Sequence, residues 1–385
     1  MRLVATAVLT VALALVLASS AVAQGFQTAA KQAVLMDYES GSILFQKNAD
    51  EPMPPASMAK LMTMEVVFDA LRSGAYTLDS KMTVSTDAWK RGGIGSGGST
   101  MFLRPNTDVS LEDLIKGVIV VSGNDASIAI AENMAGSEDA FAGLMTERAR
   151  KIGLEKSVFK NATGLPHPEQ LVTARELAEL ARHLIRTYPE EYAKYYSIPE
   201  LKWGRTRQPN RNPLLGNVEG ADGLKTGHTE ASGYGLVGSA VQDGRRLILV
   251  LNGLPSARAR RAEAIKLMRW GQRAFKLVDM FKDGEVVGEA TVFGGAKSGV
   301  AVASQGPLQI YVPIGRTDRL KANIVFNGPI VAPVRKGDKI AKLQVLIGNR
   351  VSQETPLFAA EDVDVGSISQ RAMSAAQELL LGWAY

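Results

Sequence analysis

The chain has 385 residues, and its 44 lysines and arginines outnumber its 39 aspartates and glutamates, which gives a formal charge of +5. It contains no cysteine, which excludes a disulfide framework, a thiol nucleophile and a thiolate metal site. The positive charge is diffuse and forms no basic stripe with interleaved aromatic residues, so the composition indicates no nucleic-acid partner and is compatible with an anionic surface.

Residues 1–23 predict a secretory signal peptide. Arg2 supplies the charged start, 3–17 is apolar or small, and Ala21-Val22-Ala23 forms a small-x-small cleavage site before Gln24. The alternative is a membrane anchor, but the run is shorter than the about 20 apolar residues that a span requires. We therefore expect an exported protein whose mature chain begins at Gln24.

The next feature is a predicted hairpin of two short strands, Ala33–Met36 and Ile43–Gln46, with Gly41 in the turn. A helix to about Arg72 follows, because the prolines at 54 and 55 suit the approach to a helix start.

Ser57 and Lys60 form a Ser-x-x-Lys pattern at this helix start. Residues three apart share one helix face, so the Lys60 amine can reach the Ser57 hydroxyl. Burial and the positive end of the helix dipole both lower the pKa of a lysine placed there, and the neutral amine could take the serine proton. The alternative for so short a pattern is a helix cap followed by a solvated lysine.

The middle of the chain is predominantly helical. The Gly-rich stretch 91–99 lacks the spacing of a phosphate-binding loop and is interpreted as a flexible loop near the site. Ser110 and Asp113 predict a capping box that opens a helix to about Val121. Further helices are predicted at 126–135, at 137–152 and after Thr173, which forms a cap with Glu176.

The pattern changes to strands from Ala221. Segments Tyr234–Val241 and Arg245–Asn252 flank a strong hairpin signal, and Ala262–Phe275 is predicted to be a helix. Short antiparallel strands at both ends of a helical block indicate an α+β domain. After about Leu277, short β-rich runs separated by glycine and proline predict a small all-β domain: Glu285–Ala290, Leu308–Val312, Asn323–Phe326 and Lys339–Leu346.

Two later motifs change the interpretation of Ser57 and Lys60. They are Ser122-Gly123-Asn124, which alone would equally suit a turn between helices, and Lys225-Thr226-Gly227. Ser-x-x-Lys, Ser-x-Asn and Lys-Thr-Gly in this order are the signature of penicillin-binding proteins and serine β-lactamases.

The longer strings 54–63, 121–126 and 223–229 resemble the low-molecular-mass D-alanyl-D-alanine carboxypeptidases, a likeness that extends from about Lys31 to the C-terminus. The resemblance implies a transpeptidase-type α+β domain, with a mainly antiparallel sheet flanked by helices and the serine helix at its centre. We expect a signal peptide at 1–23, a catalytic domain at 24–276, a β-rich domain at 277–364 and an amphipathic helix at 365–385.

The resemblance also implies the catalytic roles. Ser57 would be the nucleophile and Lys60 its base, while Ser122 would relay protons between Lys60, Lys225 and the leaving group. Asn124 would position the substrate backbone through its side-chain amide.

The remaining site residues are expected to bind the substrate. Lys225 would supply positive charge, Thr226 can donate to a carboxylate, and the small Gly227 would let a substrate backbone approach closely. The resemblance places the oxyanion hole at the backbone N–H groups of the nucleophile and of His228. Arg260 would hold the terminal carboxylate; the alternative is a basic cluster at a helix start.

Other hydrolase types fit poorly. The three histidines lack H-E-x-x-H spacing and no G-x-S-x-G occurs, so neither a zinc peptidase nor an α/β-hydrolase is predicted, and no metal or cofactor is expected. His228 as a triad base stays an alternative.

Two further functions stay open. The segment 168–171 superficially resembles the deacylating loop of class A β-lactamases, although Thr173 stands where asparagine is expected, and the middle motif is Ser-Gly-Asn. The second alternative function is a non-catalytic module that binds the cell wall. The intact set of three motifs argues against it. The segment Asn161–Leu165 lacks the histidine of some carboxypeptidases and Glu176 stands where aspartate is often found, so the deacylation rate stays open.

The C-terminal segment carries apolar residues at helical spacing: Ile368, Ala372, Ala376, Leu379 and Trp383. This predicts an amphipathic helix that lies in a membrane interface, with Trp383 and Tyr385 at the headgroups; the alternative is a helix packed on the β-rich domain. The expected partners are thus the peptidoglycan stem pentapeptide, β-lactams as inhibitors, and the outer face of the inner membrane on the periplasmic side.

Overall fold

The computed structural model describes residues 26–314, 320–347 and 350–381. The predicted signal peptide at 1–23 and the predicted headgroup residues Trp383 and Tyr385 lie outside the described residues.

A five-stranded antiparallel sheet organises the first part of the chain. Its strands lie in the spatial order Ile43–Lys47, Gln32–Asp37, Arg245–Leu254, Gly233–Gln242 and Ala221–Thr229. The hairpin predicted between Tyr234–Val241 and Arg245–Asn252 is present. Its turn residues, Asp243 at φ 52° and Gly244 at φ 75°, have the left-handed values that a two-residue turn favours.

Helices cover both faces of this sheet, which explains why the strand Gln32–Asp37 is buried throughout. Val34 packs into the larger hydrophobic cluster on the side of the serine helix, whereas Leu35 packs into a second cluster with Leu267 and Met268. The helices are Lys60–Arg72, Thr86–Gly92, Leu111–Val120, Asn124–Ala135, Glu138–Lys151, Ala174–Thr187, Pro189–Tyr195 and Ala257–Arg273.

Two predicted caps are present and one predicted helix start is wrong. Ser110 accepts the Asp113 N–H at 3.2 Å, and Thr173 accepts the Glu176 N–H at 3.1 Å. The helix predicted from Ala262 instead begins at Ala257, because Ser256 caps it and arginine is a good helix former. It ends at Arg273, and Phe275 opens a strand.

The C-terminal part is all-β, as predicted, with its own hydrophobic core. Its six-stranded sheet has the order Leu320–Val325, Lys339–Ile347, Arg350–Ala359, Gly299–Ala303, Val286–Phe293 and Ile330–Val331. A separate pair joins Phe275–Phe281 to Leu308–Pro313. Two further strand pairs lie in the helical part: Lys81–Thr83 with Asp108–Ser110, and Glu200–Trp203 with Thr206–Pro209.

A final helix spans Ile368–Leu381. The Gln370 side chain ties its first turn to the Ala296 carbonyl, with a distance of 3.1 Å. Ile368, Met373 and Leu379 are largely exposed, so these apolar side chains do not pack on the β-rich part. None of the described helices combines the length and apolar composition needed to cross a bilayer.

Candidate active site

Ser57 lies in a short 3-10 turn, Ala56–Ala59, that leads directly into the helix Lys60–Arg72. Two neighbouring segments hold this turn. A Cβ at Gly164 would lie 1.9 Å from the Ala56 carbonyl oxygen, and a Cβ at Gly227 would lie 3.0 Å from the Pro55 carbonyl oxygen. Glycine at 227 is therefore also favoured by close packing against the chain's own serine turn, a reason that the sequence motif did not indicate.

Lys60 is fully buried and its amine is surrounded by oxygen atoms. Its Nζ lies 3.2 Å from Ser57 Oγ, 2.7 Å from Asn124 Oδ1 and 2.5 Å from the Thr163 carbonyl oxygen. Burial, and after it the positive charge of Arg211, lowers the pKa of Lys60 to about 7. A substantial fraction of Lys60 is therefore neutral at physiological pH.

These contacts orient the neutral amine. A neutral lysine has two N–H groups and one lone pair, and the oxygens of Asn124 and Thr163 are acceptors only, so they take the two N–H groups. The lone pair then faces Ser57 Oγ, whose hydroxyl can donate to it. The sequence motifs gave no signal for Thr163, because a backbone carbonyl is independent of residue type.

Ser122 and Lys225 extend the polar site. Ser122 is buried, has a φ of 60°, and its hydroxyl has no hydrogen-bond partner among the described residues. Lys225 is buried, and its amine donates to the Thr226 carbonyl at 3.1 Å. Burial, followed by the positive charge of Lys60, lowers the pKa of Lys225 well below its usual value.

Asn124 is the first residue of a helix, and its backbone N–H donates to the Ser99 carbonyl at 2.7 Å. Its side-chain oxygen holds Lys60, whereas the sequence predicted only a contact with the substrate. The Gly-rich stretch approaches it as expected, since a Cβ at Gly98 would lie 2.9 Å from Asn124 Nδ2.

Arg260 points toward the strand that carries the third motif. Its Nη1 donates to the carbonyls of Gly227 at 3.4 Å and Gly235 at 3.5 Å, and its guanidinium lies 5.6 Å from the Tyr234 ring. The neighbouring Arg261 instead bonds the Asn217 side chain. Arg260 and Arg261 therefore have different partners, and of the two Arg260 faces the third motif.

His228 is exposed, and its ring stacks on Tyr234 with 3.8 Å between ring centroids.

Among the described residues, no group of three or more His, Asp or Glu side chains is arranged to hold a metal ion.

Arg211 was not predicted as a site residue. It lies in a loop, its guanidinium bonds Ser99 Oγ, and its charge lowers the pKa of both Lys60 and Lys225 after the larger effect of burial. No described carboxylate forms an ion pair with Lys60, Lys225, Arg211 or Arg260. Arg211 and Arg260 therefore bring guanidinium charge to the site without a direct carboxylate partner among the described residues, which suits an anionic ligand.

Comparison with known proteins identifies the family. Residues 18–255 match the S11 peptidase model, described as D-alanyl-D-alanine carboxypeptidase. The chain belongs to this family. Residues 275–365 match the C-terminal domain of penicillin-binding protein 5.

Individual S11 relatives agree over most of the chain. D-alanyl-D-alanine carboxypeptidase DacC of Escherichia coli (strain K12) is 40% identical over 341 residues, which cover 88% of this chain and 85% of that protein. The solved structure of penicillin-binding protein 5 from Haemophilus influenzae is 36% identical with a TM-score of 0.73, covering 89% of this chain and 99% of the other. Penicillin-binding protein D2 from Listeria monocytogenes, solved in its ampicillin-bound form, is 29% identical with a TM-score of 0.56, covering 65% of this chain and 100% of the other.

The segment Asn161–Leu165 and Glu176 have structural roles. The Asn161 side-chain oxygen accepts the N–H groups of Thr163 at 3.3 Å and Gly164 at 2.7 Å, which shapes the turn beside Lys60. Glu176 accepts from Ser157 Oγ at 2.5 Å and from the Lys156 N–H at 2.7 Å. Its carboxylate therefore fixes the adjoining loop.

Proposed function

We propose that this S11 carboxypeptidase removes the terminal D-alanine of the peptidoglycan stem pentapeptide through an acyl-enzyme on Ser57. The main supporting observation is the buried Lys60 amine, whose two N–H groups have acceptors and whose lone pair is left for the Ser57 hydroxyl. A base with a pKa near the working pH is well suited to take a hydroxyl proton.

The reaction has two halves. In the first, Lys60 takes the Ser57 proton, and Oγ forms an ester with the penultimate D-alanine carbonyl while the amide bond to the last D-alanine breaks. Ser122 gives its hydroxyl proton to the departing amine and takes back the proton held by Lys60, so both groups return to their starting state, and the backbone N–H groups of Ser57 and His228 stabilise the oxyanion. In the second half, water hydrolyses the ester and restores Ser57.

Substrate recognition rests on the guanidinium charge of Arg260 and on the hydrogen-bond donors beside it. Lys225, Thr226 and Arg260 would hold the terminal carboxylate, since Arg260 lies beside the Thr226-Gly227 end of the strand. The side-chain amide of Asn124 would donate to the substrate backbone while its oxygen holds Lys60. β-Lactams would acylate the same serine.

The decisive experiment is incubation with a pentapeptide ending in D-Ala-D-Ala, with detection of released D-alanine. Wild-type protein should release it, and Ser57→Ala should not. Intact-protein mass spectrometry should show one penicillin adduct in the wild type, and an adduct that persists in Ser57→Ala would refute the assignment. Rapid turnover of the drug would favour the β-lactamase alternative.

We also propose a location on the outer face of the inner membrane. The support is the predicted export signal at 1–23, together with the exposed apolar residues Ile368, Met373 and Leu379 on the last helix. Division of the mature chain into 24–276, 277–364 and 365–385 remains part of this proposal.

A further inference from the structure

Glu138 connects two chain segments that flank the active site. It is the first residue of the helix Glu138–Lys151, and its side chain is only 8% exposed. One carboxylate oxygen accepts from Arg91 Nη2 at 2.7 Å, and the other accepts the Ala162 N–H at 3.0 Å. Arg91 belongs to the helix Thr86–Gly92, which leads into the Gly-rich loop.

Ala162 is held on both sides of its backbone. Its N–H bonds Glu138, and its carbonyl accepts the Thr63 hydroxyl of the serine helix at 2.8 Å. The next carbonyl, that of Thr163, accepts from Lys60. The bonds at Ala162 fix the backbone that leads into Thr163. The Thr163 carbonyl itself shares a planar peptide unit with the Gly164 N–H, which the Asn161 side chain holds at 2.7 Å.

From this arrangement we infer that Glu138 is a positioning residue that aims the Lys60 amine at Ser57 by way of the 162–163 backbone. The inference rests on the proposed function, because it concerns the acylation step. Glu138 does not touch Ser57 or Lys60 through any hydrogen bond described here, so it acts through Ala162 and Thr163.

Glu138 also acts through its charge. Burial, and after it the charge of Arg211, lowers the pKa of Lys60 to about 7, and the negative charges of Glu138 and then Asp125 oppose this by raising it. Hydrogen bonding and charge can be separated, because glutamine keeps a carbonyl oxygen for the Ala162 N–H but carries no charge.

The test compares three variants: Glu138→Ala, Glu138→Gln and Asp139→Asn. Each is acylated with a fluorescent penicillin, and the kinetics give two quantities, the dissociation constant of the complex before acylation and the rate constant of acylation. Asp139 is the exposed neighbour in the same helical turn, so Asp139→Asn controls for lost charge at the helix start. Glu138→Ala should lower the rate constant by about tenfold through misorientation of the amine, with the dissociation constant nearly unchanged.

Glu138→Gln should keep most of the wild-type acylation rate constant at pH 8. The acid limb of its pH profile, which is the range where the rate constant falls as the pH is lowered, should lie at lower pH than in the wild type. Asp139→Asn should match the wild type in both respects. A wild-type rate constant in Glu138→Ala, or an equal loss in Asp139→Asn, would overturn the inference. If Glu138→Ala does not fold, Glu138→Asp decides, because its shorter side chain keeps the charge but withdraws the carboxylate from the Ala162 N–H; a wild-type rate constant in that variant counts against the inference.

Labelling of Ser57 separates this inference from the proposed function. If the wild type acylates on Ser57 and the Glu138 variants behave as the wild type, only the inference fails. If the wild type does not acylate on Ser57, the proposed function fails and the inference with it.

Discussion

The surroundings of Lys60 predict how far the rate of acylation should fall as the pH is lowered. Burial, and next the charge of Arg211, lowers the pKa of Lys60 from 10.5 to about 7. If the acylation rate follows the neutral fraction of Lys60, it should fall to roughly a tenth of its plateau at pH 6 and roughly a hundredth at pH 5. A lysine with its ordinary pKa would instead give a rate that still rises at pH 9.

The perturbation is Arg211→Gln. Removing this positive charge favours the protonated amine, so the pKa of Lys60 should rise and the acid limb should move to higher pH. Arg211 is exposed, so added salt should weaken its effect on Lys60 and reduce the difference between variant and wild type. Arg205→Gln, at an exposed arginine in the turn between the strands Glu200–Trp203 and Thr206–Pro209, is the matched control and should leave the limb in place.

The assay is single-turnover acylation by a fluorescent penicillin between pH 5 and 9, at low and high salt. A wild-type rate that is constant from pH 5 to pH 8 would refute the role of Lys60 as base. A limb in Arg211→Gln that stays in place or moves to lower pH would refute the electrostatic argument.

Three further predictions follow from the site and the last helix. Lys60→Arg should lose acylation by more than about a hundredfold at neutral pH, because guanidinium cannot act as a base there; a folded variant that still acylates rapidly would contradict this. Arg260→Ala should reduce kcat/KM for a peptide acid by about tenfold or more and spare its C-terminally amidated analogue, and equal losses would indicate no carboxylate contact. Truncation after Val365 should abolish sedimentation with liposomes and keep soluble activity; if full-length mature protein already fails to sediment, the anchor is wrong.

Elements with strong local signals were predictable from the sequence. The hairpin around Asp243-Gly244 and the caps at Ser110 and Thr173 depend on residues adjacent in the chain, and all three are present. The strand Arg350–Ala359 was missed although it pairs with the immediately preceding strand, Lys339–Ile347, because its polar first half and Pro356 weaken the strand pattern. Local propensity is a weak guide where pairing decides.

The same distinction applies to the site. The spacing of Ser57 and Lys60 predicted their contact, because three residues on a helix bring side chains together. Thr163 and Arg211 enter from loops 103 and 151 residues after Lys60, and neither belongs to a recurrent spacing. Residues of this kind can be assigned to the site only from the folded structure, which shows the groups that surround the buried Lys60 amine.

The left-handed backbone at Ser122 also bears on how far this enzyme can be stabilised. A non-glycine residue at φ 60° costs roughly 1–2 kcal/mol, so glycine would relieve strain at this position. Glycine would also delete the unpaired hydroxyl, and Ala56, at φ 47° directly before the nucleophile, presents a second strained position. If Ser122 relays protons as proposed, screens that select thermal stability alone should enrich Ser122→Gly as an inactive variant, and a stabilised catalyst requires a selection that also demands turnover.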